Sequence, residues 1–165
     1  MFRAPGLHET VHAVVGTVIA AAAQLLKHAG QAFATLTGGS FSDLRVEFDE
    51  HDRAQLAGLR PNGELVRVSA LSTGTADQLY LALRIASVED YLDRASALPF
   101  VADDLFINFD DARAAAGFEV LRRLSRKTQV LFFTHHRHLV EIARATLGQS
   151  VSVVSLLEEP VVSAA

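Results

Sequence analysis

Two adjacent carboxylates, Asp103 and Asp104, close the apolar run Phe100-Val101-Ala102. An apolar run ending in paired acids has the form of a buried strand that delivers ligands to a hard cation. A hydrated Mg2+ is held by one or two carboxylates, and a hydrolytic water needs a base within hydrogen-bond reach. Neighbouring residues of a strand point to opposite faces, so the two acids can divide these tasks, Asp103 to the metal and Asp104 to the water. Asn108-Phe109-Asp110 follows four residues later. Downstream, Val130-Leu131-Phe132-Phe133 leads into Thr134-His135-His136, which puts the His135 imidazole at a strand end where it can hydrogen-bond a phosphate oxygen or a water. Upstream, Leu71-Ser72-Thr73-Gly74-Thr75 precedes a helical pattern. The free amides and the dipole of a helix start attract an anion.

Each feature has a plainer alternative. An Asp-Asp pair is often a turn or helix cap, and a Ser-Thr-Gly loop before a helix is often no more than an N-cap. The order and spacing of the three segments favour chemistry over capping. His135, His136 and His138 invite a zinc reading, but they include no i, i+4 pair and the chain has no cysteine to finish a tetrahedral set. A two-metal nuclease built on Asp103, Asp104, Asp110 and His135 would leave residues 72–78 without a task. No GxxxxGK[ST] phosphate loop occurs, and the only lysines, Lys27 and Lys127, follow no glycine-rich run.

The elements that must carry these residues can be read in order. Val11, Val15, Val18, Ala22, Leu25, Ala29, Phe33 and Leu36 fall at mostly alternating spacings of four and three, the stripe of a helix, which Thr37-Gly38-Gly39 ends. Residues 44–48 and 65–68 alternate with period two about the turn residues Pro61-Asn62-Gly63, predicting a small antiparallel sheet. Thr75 and Gln78 have capping-box form, so a helix is expected from Thr75 to about residue 96. Pro99 breaks it. Residues 100–102 read as a strand covered on both faces. A helix over about 110–124, a strand over 129–133, a helix over 136–147 and a last strand over 151–156 complete an alternation that predicts a mostly parallel sheet. The tail after Pro160 is expected to fray.

Composition sets the bounds. The chain has 165 residues, half of them hydrophobic and 21% charged, enough for one domain with a core. A net charge of -4 gives no whole-domain footprint for nucleic acid. Arg122, Arg123, Arg126 and Lys127 form one basic cluster, read as a solvated helix face. The absence of cysteine fits a reducing cytoplasm. The apolar run over 11–26 is shorter than the ~20 residues a membrane span needs and has no signal-peptide flanks, so neither a membrane span nor a membrane partner is expected.

Residues 71–78, 100–110 and 128–136 together resemble the signature, Walker B with D-loop, and switch segments of the carboxy-terminal lobe of an SbcC-like or SMC-like ABC ATPase head. The resemblance is strongest to the YhaN-like branch of bacterial double-strand-break-repair-type ATPases, and it runs from about residue 36 to 156. It implies an α/β fold, the carboxy-terminal half of an ABC-type P-loop NTPase, with ATP and Mg2+ as cofactors. It implies Asp103 as the magnesium-organising acid, Asp104 as general base, Asn108, Phe109 and Asp110 as the D-loop and His135 as the switch histidine. Ser72, Thr73, Gly74 and Thr75 become the signature residues that meet nucleotide held by an opposing head.

The sequence also departs from the wider ABC pattern. Thr73 stands for a glycine, Thr75 for a glutamine or glutamate, and Asp104 for the usual glutamate. Implied partners are an amino-terminal Walker A lobe or a full-length parent, a second head in a homodimer, a nuclease subunit and DNA. Residues 1–37 are expected to be the remnant of a coiled-coil arm and 38–165 the lobe itself. A methionine one helix ahead of the lobe fits a truncation, a split gene or a decayed reading frame. The function expected is ATP hydrolysis in DNA repair or chromosome maintenance once a Walker A lobe is supplied, the chain alone being inactive. The alternative is a non-catalytic dimerisation or regulatory module that keeps the fold.

Overall fold

The computed structural model describes residues 7–156, with side chains from residue 21 onward. The tail after Pro160 and the side chains of Val11, Val15 and Val18 lie outside that description. Helix α1 (Leu7–Leu36) is followed by strands β1 (Asp43–Phe48), β2 (Ala54–Leu59) and β3 (Leu65–Arg67), and then by helix α2 (Thr73–Leu92). Strand β4 (Phe100–Asp103), helix α3 (Asp111–Leu124), strand β5 (Val130–Phe133) and helix α4 (Arg137–Leu147) complete the chain.

The end of α1 is buried. Ala29, Phe33 and Leu36 have no exposed surface, whereas Ala22 is exposed, so the stripe is a core face only in its last turns. The helix stops where expected, because Gly38 and Gly39 both take positive φ and allow the amide of Gly39 to bond the carbonyl of Ala34 at 2.9 Å. Gln78 is not part of a capping box. It is 1% exposed within α2, and its Nε2 donates to the Leu36 carbonyl, satisfying an acceptor that the end of α1 would otherwise bury. The N-cap of α2 is Ser72, whose Oγ accepts from the Thr75 amide at 3.3 Å, and the helix ends at Leu92.

The antiparallel sheet has three strands in the order β1-β2-β3. The middle strand, Ala-Gln-Leu-Ala-Gly-Leu, escapes a sequence reading because it contains no β-branched or aromatic residue. The parallel sheet has two strands in register from Phe100 opposite Val130 to Asp103 opposite Phe133, joined by the crossover helix α3 as parallel pairing requires.

Two expectations about this sheet fail. Strand β4 is covered on one face only: Phe100 and Ala102 are buried while Val101 is 56% exposed. Residues 151–156 form no strand: neither of the two sheets among the described residues takes them in. The outer edge of β5 and residues 151–156 instead flank an apolar groove of about 680 Å3, lined also by Phe118, Leu139, Val140 and Ala143. Three of the four basic cluster residues are engaged in the fold. Arg122 pairs with Glu119 at 2.7 Å, Lys127 with Asp93 at 2.8 Å, and Arg123 donates to the Thr35 hydroxyl at 2.9 Å. No helix among the described residues is long and apolar enough to cross a membrane.

Candidate functional site

The register of the parallel pair builds the site. Asp103 lies opposite Phe133, so the residues just beyond, Asp104 on one strand and Thr134 and His135 on the other, emerge at the same carboxyl edge, where open parallel sheets collect ligands. The Asp104 amide still bonds the Phe133 carbonyl at 3.0 Å, but the residue takes φ of 45°, a left-handed conformation that costs a non-glycine residue energy and recurs at functional sites. This turn brings the Asp104 Oδ2 within 2.7 Å of His135 Nδ1. Burial raises the Asp104 pKa, but the Thr134 hydroxyl and the charge and hydrogen bonds of His135 outweigh it and hold the carboxyl below its ordinary 3.8. Its Oδ1 is buried without a hydrogen-bond partner.

A cavity of about 280 Å3 opens beside the two acids, lined by Asp77, Tyr80, Leu81, Asp103, Asp104, Leu105, Asn108 and Phe109. Its polar lining is oxygen-rich, the donor type that Mg2+ takes, so Asp103 fits that ion. Asn108 Nδ2 reaches Asp77 Oδ2 at 3.5 Å, which ties the turn after β4 to the first turns of α2. Asp110 caps α3 by accepting from the Arg113 amide at 2.8 Å. The ring of Phe109 stacks on Phe106 at 5.3 Å. Phe106, 1% exposed, packs in turn on Phe118 and Phe132. The segment 108–110 is thus held from the core side by an aromatic cluster and from the solvent side by a cap.

Ser72, Thr73, Gly74 and Thr75 lie elsewhere. None of them lines the cavity, Ser72 and Thr73 are exposed, and the Ser72 and Thr75 hydroxyls are 2.8 Å apart. The loop presents a helix N-terminus outward. Asp103, Asp104, Asn108 and Phe109 line one cavity and His135 pairs with Asp104, the Asp104-His135 pair standing between that cavity and the groove beside β5.

Three neighbours escaped the sequence reading as site residues. Asp77 and Tyr80 line the cavity from α2, and the i, i+3 spacing that exposes both on one helix face was the available signal. Arg113 brings Nη1 to 2.7 Å from where a Cβ on Gly74 would stand, a contact between segments far apart in the chain that no local pattern announces.

No family model matches the chain. It is 36% identical over 117 residues to the uncharacterized protein YhaN of Bacillus subtilis, a stretch that is 70% of this chain and 12% of YhaN. The chain therefore spans about an eighth of the length of that relative. Among solved structures, a chain described under ATP-driven dimerization and DNA-stimulated activation of SMC ATPases superposes with a TM-score of 0.63 at 16% identity, over 78% of this chain and 77% of that one. The SMC head domain from Thermotoga maritima gives 0.53 at 20% identity, over 73% of this chain and 40% of that one. An SMC head from Pyrococcus furiosus, bound to the carboxy-terminal domain of ScpA, gives 0.53 at 17%, over 74% of this chain and 30% of that one. By superposition the chain has the fold of the carboxy-terminal lobe of an SMC-like ATPase head, and in sequence it is similar to YhaN.

Proposed function

We propose that this chain is the part of an ABC-type ATPase head that supplies metal, base and signature contacts, and that it turns over ATP in DNA repair or chromosome maintenance when an amino-terminal lobe brings a phosphate loop. The observation that carries the reading is the shared edge of β4 and β5, where Asp103, Asp104 and His135 converge beside an oxygen-lined cavity. Bound there, Mg2+ would neutralise charge on the phosphates. Asp103 would hold that ion. Asp104, ionised and hydrogen-bonded to His135, accepts a proton from the attacking water. His135 senses the phosphate through its exposed ring, and Asn108, Phe109 and Asp110 form the turn that faces the second head.

The outward position of Ser72 to Thr75 supports the dimeric part of the reading. A capped helix start offers amides and a dipole that suit an anion, and facing outward it would meet nucleotide held by an opposing copy. The groove beside β5 supports the partner: it is flanked by a strand edge that no other strand among the described residues pairs, such an edge templates another strand, and we assign it to a strand of the amino-terminal lobe. The lack of any phosphate loop in the 165 residues favours one second reading, a non-catalytic dimerisation module.

The two separate in one experiment. The chain is co-purified with a phosphate-loop lobe, and Mg-ATP turnover and dimerisation are measured by phosphate release and light scattering. Turnover with ATP-dependent dimers is expected. A stable complex that dimerises without turning over ATP would establish the non-catalytic module instead.

A further inference from the structure

We propose that Asp104, His135 and His136 form a binding site for a borderline divalent cation of the Zn2+ type, distinct in donor chemistry from the oxygen-lined magnesium cavity. Among the described residues these three side chains each bring one ligand atom to within 4.8 Å of the others. Consecutive residues of an extended strand point to opposite sides. Here the chain bends at His135 as β5 gives way to α4, with His136 as the N-cap, and the rings of His135 and His136 come to 3.9 Å between centroids. The two imidazoles therefore face one locus, and the left-handed turn at Asp104 adds a carboxylate to it. His138, whose ring is 5.6 Å from that of His136, stays outside the group. The zinc ligands are thus a pair of neighbours and a distant acid, a set the spacing of the histidines alone does not reveal.

Two buried atoms have no hydrogen-bond partner and belong to these residues, Asp104 Oδ1 and His136 Nε2. Buried polar atoms are nearly always satisfied, and one cation would satisfy both. A tetrahedral zinc with bonds of ~2.0 Å spaces its ligands by roughly 3.3 Å, so a pair at the 4.8 Å limit must draw in by about 1.5 Å and the 2.7 Å contact of Asp104 with His135 must open slightly, a movement that rotation of the exposed His135 side chain serves. Imidazole nitrogen selects zinc, copper, nickel or cobalt over magnesium. Three protein ligands leave a fourth position open to water, the form of an exchangeable rather than a structural site. On the function proposed above, occupancy withdraws both the base and the phosphate sensor, so zinc acts as an inhibitor of turnover.

The test uses the untagged 165-residue chain and Co2+ as a visible probe, followed by competition with Zn2+ and with Mg2+. One equivalent of Co2+ is expected to give the intense bands of a low-coordinate site, displaced by stoichiometric Zn2+ and not by excess Mg2+. His136→Ala should weaken Co2+ binding about tenfold or more, the scale on which even outer-shell partners matter, while His138→Ala should leave it unchanged. Circular dichroism of both variants confirms that each is folded, and His136→Gln serves if the alanine variant is not. Absent bands, displacement by Mg2+, or equal binding by the folded His136 variant would overturn the site. Because the readout needs neither ATP nor a second lobe, its outcome is independent of the ATPase reading.

Discussion

Replacing Gly117 by alanine sets helix propensity against packing, and the geometry decides the sign. Gly117 lies within α3, where alanine is favoured over glycine by about 1 kcal/mol. A Cβ there would stand 2.5 Å from Cζ and 2.6 Å from Cε1 of Phe106. Carbon contacts settle at about 3.5–4.0 Å, so the ring must retreat by roughly 1 Å. It has little room, being 1% exposed and hemmed in by Phe109, Phe118 and Phe132 at centroid distances of 5.3, 5.0 and 5.1 Å. Overpacking of this kind costs about 1–3 kcal/mol, and with the ring held on three sides the net change is a destabilisation of about 1–2 kcal/mol.

Urea denaturation followed by circular dichroism measures this change, at matched protein concentration because association shifts apparent stability. Phe106→Leu beside Gly117→Ala should recover part of the loss, with a coupling of about 1 kcal/mol in the double-mutant cycle. By contrast, Gly74→Ala meets only the mobile end of Arg113 and should cost far less. A Gly117→Ala protein as stable as the parent, or a coupling of zero, would refute the argument and with it the claim that the aromatic cluster fixes the turn at residues 108–110.

Other outcomes follow from the site. Without a phosphate loop the chain alone should give almost no heat with Mg-ATP in calorimetry, and micromolar binding would contradict the division of labour proposed. In a reconstituted head, Asp104→Asn should retain ATP binding and slow turnover by about 10²–10⁴-fold, the usual worth of a general base; wild-type rates would assign the water to another group. Ser72→Arg should abolish ATP-dependent dimerisation in light scattering with an unchanged circular dichroism spectrum, and normal dimers would reduce the loop to a cap. The Asp104 carboxyl lies below its ordinary 3.8 in the fold, so its ionisation favours folding above about pH 4 and that contribution disappears as the pH falls through the depressed value. Asp104→Asn should therefore flatten the acid limb of a stability-pH profile, and an identical limb in both proteins would show that the carboxyl is not held by Thr134 and His135.

Periodicity and punctuation alone carried much of this protein. The stripe ending at Leu36, the glycine pair that stops it, the apolar runs into Asp103 and Thr134, and the helix between them are local matters, set by side-chain alternation and by residues that cannot continue a helix. Because a strand's carboxyl end follows from its direction, the sequence also placed Asp103, Asp104 and His135 at one edge once a parallel sheet was assumed. Strand β2 was not legible, since its pairing comes from neighbours on both sides and not from its own composition. Gln78 had the spacing of a cap, but burial against the end of α1 turned it into a tertiary hydrogen bond. Residues 151–156 have strand composition but join neither sheet among the described residues, and a strand exists only by pairing. The convergence of Asp104, His135 and His136 likewise depends on a left-handed turn and a helix start meeting in space, and such a meeting is decided by packing between segments that the one-dimensional order keeps thirty residues apart.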